Sequence, residues 1–532
     1  MTKNWEKPGV SLPAYDVQKM REKTKKLPIW VHFGAGNIFR GFIAVLQQKL
    51  LNSGDSECGI IAAETFDTEI INKVYAPHDN TFLNVLLGAD GTLDCAVVSS
   101  ISEAIALKQE SKNSRKRLVK IFTNPSLQMV SFTITEKGYS LRDVNSNLLP
   151  VVLDDFEKGP DAPGHVMCII TGFLYQRYMA GKHPIAMVSM DNLAKNGDVL
   201  KAAVMETAEA WHINGFVDSG FMKYLNDKTS VSFPWTMIDK ITPRPDAAVA
   251  ELLKQRGITD IDPFVTAKDT HIAPFVNSER PEYLVVEDDF PAGRPVLEKA
   301  GVYFTDRDTV NRVERMKVTA CLNPLHTSMS VYGCLLGYTR ISEEMKDSDI
   351  TKLIMRLGYV EGLPVAADPG ILSPKAFLDE VINERLPNPF MPDSPQRIVT
   401  DTSQKVGIRF GETIKSYKTL GFDMEVLVAI PLSIAGWLRY LLAVDDEGSI
   451  MEVSSDPLKK DLQKILSGIV WNDPKSYKGQ ILDILKNSII FGCDLTKTSL
   501  GVKIEEMFVS LLSGKGAVRQ TLQYYLNDKE RT

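Results

Sequence analysis

Between residues 29 and 64 the chain runs from a short apolar stretch (IWVHF, 29–33) into a cluster of glycines. A segment with apolar residues at helical spacing follows (42–51). Next comes a second apolar run, Gly59-Ile60-Ile61-Ala62-Ala63, which stops at Glu64. Strand, glycine turn, helix, strand and acid in about 35 residues predict the first half of a doubly wound nucleotide-binding sheet. The turn reads Gly34-Ala35-Gly36-Asn37-Ile38-Phe39-Arg40-Gly41. Gly34 permits the tight turn, and Gly36 lets the backbone approach a pyrophosphate held at the helix N-terminus. The spacing is G-x-G-x-x-x-x-G, with Phe39 where a third glycine usually sits. Arg40 reads either as a charge near phosphate or as a solvated helix residue. Glu64 stands where a carboxylate would accept hydrogen bonds from ribose hydroxyls and repel a 2′-phosphate, which favours NAD over NADP. Asp67 is a rival for that role.

Further strands are expected at 95–99, 130–135, 185–189 and 283–286. From about residue 300 the texture becomes helical, with patterns at 309–323, 326–338, 348–359, 374–384, 405–418, 425–443, 456–467, 477–488 and 503–526. The expected fold class is an α/β Rossmann-like N-terminal domain (1–285) followed by a mainly α-helical C-terminal domain (286–532), with the boundary anywhere from about 245 to 300.

The 532 residues carry 61 Lys+Arg against 67 Asp+Glu, a formal net charge of −6. A mildly acidic chain argues against nucleic acid or an anionic membrane as partner. The longest apolar stretch, 426–438, is broken by Pro431 and is too short to span a bilayer. The N-terminus shows no apolar secretory core, and six widely spaced cysteines read as buried thiols in a reducing compartment. The expectation is a cytoplasmic protein acting on a small molecule, as a monomer or small homo-oligomer.

Six blocks extend the reading: FTITEKGY (132–139), SMDNLAKNG (189–197), FPWTMIDKITP (233–243), VEDDFPAGRP (286–295), MKVTACLNPLH (316–326) and RIVTDTSQK (397–405). With the glycine turn, they make the chain similar to the polyol-specific long-chain dehydrogenases. This is the mannitol dehydrogenase family, which includes mannonate oxidoreductases (fructuronate reductases), tagaturonate reductases and arabinitol dehydrogenases. The resemblance implies NAD(P)-dependent, metal-independent oxidation of a secondary alcohol on an open-chain polyol or sugar acid. It places the catalytic lysine at Lys317, with Asn323 and His326 on the reacting oxygen. Asn192 and Asp239 fall at substrate positions, Asn192 also beside the cofactor. Arg397 and Lys405 fall on the substrate side, and Glu314 near a proton exit path. Gly34, Ala35, Gly36, Asn37, Ile38 and Glu64 would hold the cofactor.

The chemistry is consistent from below. Hydride transfer from a carbinol needs a base for the hydroxyl proton and donors for the developing oxygen charge. The seven histidines are scattered, with no H-E-x-x-H or Cys–His cluster to suggest zinc. A lysine serves as base where burial or neighbouring cations lower its pKa.

One spacing departs from the family. There the asparagine and histidine follow the lysine by five and eight residues; here the offsets are six and nine. At about 100° per residue nine residues give 180°, opposite faces of a helix, whereas eight give 80°. A π-bulge or kink between 318 and 323 is therefore expected, with Pro324 removing a backbone donor there.

Arg397 and Lys405 suit an anionic or strongly hydrogen-bonding substrate, and Lys240, Arg244 and Arg294 add cations near the matched blocks, each equally a structural ion-pair partner. Within the family the chain looks nearest to the mannonate oxidoreductases, which implies interconversion of D-mannonate and D-fructuronate. The alternatives are a mannitol or other polyol 2-dehydrogenase, a tagaturonate reductase, or a catalytically silent NAD(H)-binding regulatory protein.

Overall fold

The computed structural model describes residues 5–108 and 110–527, which separate into two compact units. The first takes in the chain to Gly88 and from Thr92 to Asn311; the second is Ala89–Gly91 and Arg312 onward. The division falls at 311/312, later in the chain than the expected 285/286. The segment after 285 still belongs to a sheet of the first unit, because Tyr283–Glu287 pairs antiparallel with Thr236–Asp239 and parallel with Tyr303–Thr305.

The first unit is built on a six-stranded parallel sheet. Its strands are β1 (Trp30–Phe33), β2 (Ile60–Glu64), β3 (Ile101–Ala106), β4 (Met129–Phe132), β5 (Ile185–Ser189) and β6 (Val231–Ser232), in the spatial order β3-β2-β1-β4-β5-β6. The order reverses between β1 and β4, and in such sheets the crevice beyond the strand ends at that reversal receives the ligand.

Both faces are covered, which is why β1 and β2 read as unbroken apolar runs. Val31 and Phe33 pack into one core with Ile61, Ala63 and Val130. Trp30 joins the opposite core with Ile60, Ala62 and Met129. The expected strand at 95–99 exists as Leu93–Val98 but lies in a separate four-stranded sheet with Val10–Ser11, Phe82–Leu87 and Phe275–Glu279. β3 (ISEAIA) occupies the sheet edge, and its polar middle leaves a weak strand signal.

The second unit is helical. Helices α1 (Asn323–Leu335), α2 (Ala429–Tyr440) and α3 (Ser499–Ser510) form its packed centre, α2 lying against both others. The pattern expected as one helix over 503–526 is two, divided by Gly514 and Gly516 at positive φ. Several expected helices contain a π turn, at Lys317–Cys321, Arg356–Gly362, Val381–Arg385 and Gly407–Gly411. No helix among the described residues is long and apolar enough to cross a membrane.

Candidate active site

In the first unit the glycine turn leaves β1 at the sheet's reversal point. Gly34 has φ +103, and a Cβ there would stand 2.1 Å from the Thr133 carbonyl oxygen just past β4, so the turn admits no side chain. Its N–H donates to the Ala63 carbonyl at 3.0 Å. The helix opens at Asn37. The amides of Gly36, Asn37 and Ile38 are therefore early donors without an intrahelical acceptor, at the positive end of the dipole. A Cβ at Gly36 would meet nothing within 4 Å, so this glycine keeps open the space a pyrophosphate needs. These features fit a dinucleotide. The close helix packing usually made by the third glycine falls to Gly41, whose Cβ would lie 2.8 Å from Thr242 Cγ2, inside a π turn at Phe39–Ile43. Phe39 instead stacks on His32, ring centroids 4.1 Å apart.

Two charged residues beside the turn behave differently from expectation. Arg40 is neither solvated nor a free phosphate ligand: it is fully buried, donating to the Ala273 carbonyl (2.7 Å) and Asn37 Oδ1 (2.8 Å). Glu64 is buried and acts as a clasp. Its Oε2 accepts from the Ala35 amide (2.8 Å), while Oε1 accepts from the amides of Phe66 (2.8 Å) and Asp67 (3.2 Å). The rival Asp67 is turned to Thr266, whose hydroxyl donates to it.

The loop after β5 carries Asn192, held by its neighbours. Asp191 accepts from the amides of Ile134 (2.9 Å) and Thr135 (3.1 Å) and from the Tyr139 hydroxyl (2.7 Å). Asn196, fully buried, donates to the carbonyls of Ser189 and Asp191 and accepts from the Thr236 amide at 3.0 Å. It thereby joins this loop to the strand that ends at the buried Asp239. Asp191 and Asn196 lie inside the SMDNLAKNG block, but their positioning role needed the tertiary partners to be seen.

Of the extra cations, Lys240 pairs with Glu282 (3.0 Å) and Arg294 with Asp288 (2.8 Å) and Glu298 (2.6 Å). Both are structural ion pairs. Arg244 is exposed, 3.5 Å from the His271 ring.

The second unit holds the remaining residues. Lys317, 3% exposed, begins the π turn Lys317–Cys321, and its carbonyl accepts the Leu322 amide five residues on at 3.1 Å. Leu322 (φ −133, ψ −62) breaks the helix, and α1 starts at Asn323 with Pro324 in its first turn. The expected interruption is present. One residue taken up without advancing the helical phase makes the nine-residue offset to His326 equivalent to eight, or 80°. Glu314, half-buried, lies one turn before Lys317.

His326 sits half-buried near the start of α1. Burial, first, lowers its pKa to about 4; Asp393 opposes the shift, and Arg385, Arg409 and Arg397 reinforce it. The ring is therefore neutral at ordinary pH, able to donate or accept one hydrogen bond at each nitrogen. Arg397 pairs with Asp393, and Lys405 donates to the Thr400 carbonyl. Burial, followed by Arg409, holds Lys405 below its usual value. Sequence reasoning passed over Arg409, which donates to Thr327 Oγ1. The available signal was its frame of two glycines, GIRFG (407–411).

The family model of the mannitol dehydrogenase Rossmann domain matches residues 28–299, and that of the mannitol dehydrogenase C-terminal domain matches 309–510. A D-mannonate oxidoreductase of Thermotoga maritima is 48% identical over 522 residues, covering 98% of this chain and 96% of its own. Pseudomonas fluorescens mannitol 2-dehydrogenase, solved as a ternary complex with NAD and D-mannitol, is 27% identical with a TM-score of 0.68, over 98% of this chain and 97% of its own. A substrate-free D-sorbitol dehydrogenase shares the fold at a TM-score of 0.80 and 24% identity, over 98% and 99% of the two chains.

Proposed function

The chain belongs to the mannitol dehydrogenase family, and from that premise we propose that it interconverts D-mannonate and D-fructuronate, using NAD and no metal ion. Membership makes it an oxidoreductase acting on a secondary alcohol. The observation that carries the sugar-acid reading is the cationic surrounding of His326, where Arg385, Arg409 and Arg397 act on the neutral ring. A carboxylate substrate suits that field better than a neutral hexitol does. The name of the 48% identical relative supports the same choice.

Bound at the glycine turn, NAD supplies the hydride acceptor. The amides of Gly36, Asn37 and Ile38 would hold its pyrophosphate, Gly34 and Ala35 shape the turn, and Glu64 would accept from the ribose hydroxyls. Lys317 takes the hydroxyl proton as the carbinol is oxidised and returns it in the reverse direction, with Glu314 on the route to solvent. Asn323 and the neutral His326 hydrogen-bond the reacting oxygen. Asn192, Asp239, Arg397 and Lys405 bind and orient the substrate. The setting is cytoplasmic, and the protein acts alone or as a small homo-oligomer.

The test is oxidation of NADH, followed by its near-ultraviolet absorbance, with D-fructuronate, D-tagaturonate and D-fructose side by side and NADPH in parallel. Rapid loss with fructuronate and NADH is the expected result. Turnover confined to fructose would move the protein to the mannitol branch. NADH binding without any turnover would favour the regulatory reading.

A further inference from the structure

A sugar acid brings a carboxylate that a neutral polyol lacks, and a site selective for it needs a cation whose charge is not already matched. Arg397 fits poorly, since its side chain is 64% exposed and paired with Asp393. Lys405 is committed to the Thr400 carbonyl and lies in the field of Asp401 and Asp456. The geometry points to Arg409 as the residue that receives the substrate carboxylate and makes this site select sugar acids over neutral polyols. This deepens the function proposed above and rests on it.

Arg409 stands in the middle of the π turn Gly407–Gly411, where no flanking side chain would fit. A Cβ on Gly407 would come 2.7 Å from the Ile490 carbonyl oxygen, and one on Gly411 would come 2.0 Å from that of Phe491. The turn is thus seated on backbone, and Arg409 leaves it from a fixed point. It also packs against the π turn that carries Lys317, and the Thr413 hydroxyl donates to the Thr319 carbonyl at 3.0 Å. The Arg409 guanidinium donates to Thr327 Oγ1, and Thr327 donates in turn to the Asn323 carbonyl at 3.2 Å. Arg409 is therefore tied to the same turn of helix that presents Asn323 and His326.

Comparison with two fully buried arginines sharpens the point. Arg177 donates to five backbone carbonyls, those of Phe122, Asn124, Leu127, His183 and Pro184. Arg439 donates to three, Leu511, Val444 and Asp445. Those guanidinium groups are structural ties with their donors used. Arg409 makes one hydrogen bond, to a hydroxyl, and among the described residues no carboxylate pairs with it. Burial alone lowers its pKa, to about 10, so it keeps its charge at neutral pH. A half-buried guanidinium with most of its fork uncommitted matches a carboxylate in charge and in bidentate geometry.

The experiment compares wild type, R409M, R409K and R397M in steady-state reduction of D-fructuronate by NADH, with NADH affinity and thermal stability measured on each. R409M should raise KM by about 100-fold with a smaller change in kcat, and R409K should recover part of the loss. NADH affinity should hold, and the melting temperature should stay or rise, because an unmatched charge has been removed. A structural tie would instead lower the melting temperature. An unchanged KM in R409M, or the 100-fold effect appearing in R397M alone, would overturn the proposal. Should wild type reduce no uronate, the proposed function fails by itself. Arg409 is then read by calorimetry: tighter binding of D-gluconate than of sorbitol, lost in R409M, sustains the assignment, and no preference for the acid overturns it.

Discussion

Replacing Glu64 by Gln tests how the glycine turn is held. The carboxylate serves three backbone amides, Ala35 on Oε2 and Phe66 and Asp67 on Oε1, in a buried position. A glutamine offers one acceptor oxygen. If that oxygen keeps Phe66 and Asp67, the NH2 group is turned on the Ala35 N–H, donor against donor. The loss is one hydrogen bond to a charged group in a buried setting, about 1.5–3 kcal/mol. Expressed wholly in cofactor binding, this weakens NADH by about 10- to 150-fold. Expressed wholly in folding, it lowers the melting temperature by roughly 3–8 °C. The two readouts share one total. For NADPH a second effect has the opposite sign: removing a negative charge about 5 Å from a 2′-phosphate relieves about 1 kcal/mol or somewhat more in aqueous surroundings. The variant should therefore bind NADH more weakly and shift the NADPH-to-NADH preference by about tenfold towards NADPH. Fluorescence titration with each cofactor and scanning calorimetry provide the numbers. If NADH affinity stays within about twofold and the melting temperature within about 1 °C, the clasp argument is wrong. Equal weakening of both cofactors would leave the clasp standing and remove the ribose role.

Other expectations follow from the same structure. Lys317→Ala should lower kcat for fructuronate by about 10²- to 10⁴-fold without weakening NADH, and a kcat within tenfold of wild type would remove it as the acid/base. Glu344 is buried beneath Gly333 with no hydrogen-bond partner on either oxygen among the described residues, and burial, then Asp347, pushes its pKa up to about 9. The unfolded chain releases this proton above about pH 4.5 and the native protein only near 9, so stability falls between those values, by up to roughly 6 kcal/mol. Glu344→Gln lacks this slope: it should melt close to wild type at pH 5 and higher at pH 8, and parallel melting profiles would refute the assignment. Glu361 accepts from the amides of Val428 (2.7 Å), Ala429 (2.6 Å) and Ile430 (2.9 Å) at the start of α2 and lies 3.2 Å from Arg356. Glu361→Leu should destabilise by about 3–5 kcal/mol, read as a fall in denaturation midpoint, and a midpoint within experimental scatter of wild type would contradict it.

The nucleotide half was legible in the sequence because its constraints are local. Gly34 and Gly36 advertise a turn, and β1 and β2 are mostly apolar and buried at every residue because both faces are covered. The interruption after Lys317 was legible for a similar reason, since an offset of nine and a proline at 324 conflict with one continuous helical face. Partners distant in sequence were not legible. Lys240 and Arg294 read equally as substrate-side cations or as ion-pair partners, and only Glu282, Asp288 and Glu298 beside them decide for the pairs. Glu64 read as a ribose ligand, and its backbone clasp depends on how the glycine turn folds over it. Arg409 falls in a helical pattern where a solvated charge is the ordinary reading, and its distinction lies in a π turn pressed on residues about 80 positions later. The strand at 93–98 was legible as a strand but its separate sheet was not, because an apolar run carries no label for its neighbours.

The seat of Arg409 has a consequence for the order in which the protein becomes active. Phe491, whose carbonyl Gly411 lies against, is 82 residues downstream of Arg409 (491 − 409). At about 5–20 residues per second, synthesis takes roughly 4–16 s to reach it. The six-stranded sheet of the first unit is complete at residue 232, long before that. A nascent chain would thus acquire its dinucleotide fold early and the support for its anion-recognising arginine near the end of translation. A ribosome stalled between residues 411 and 488 would carry a chain able to hold cofactor before it can choose a substrate.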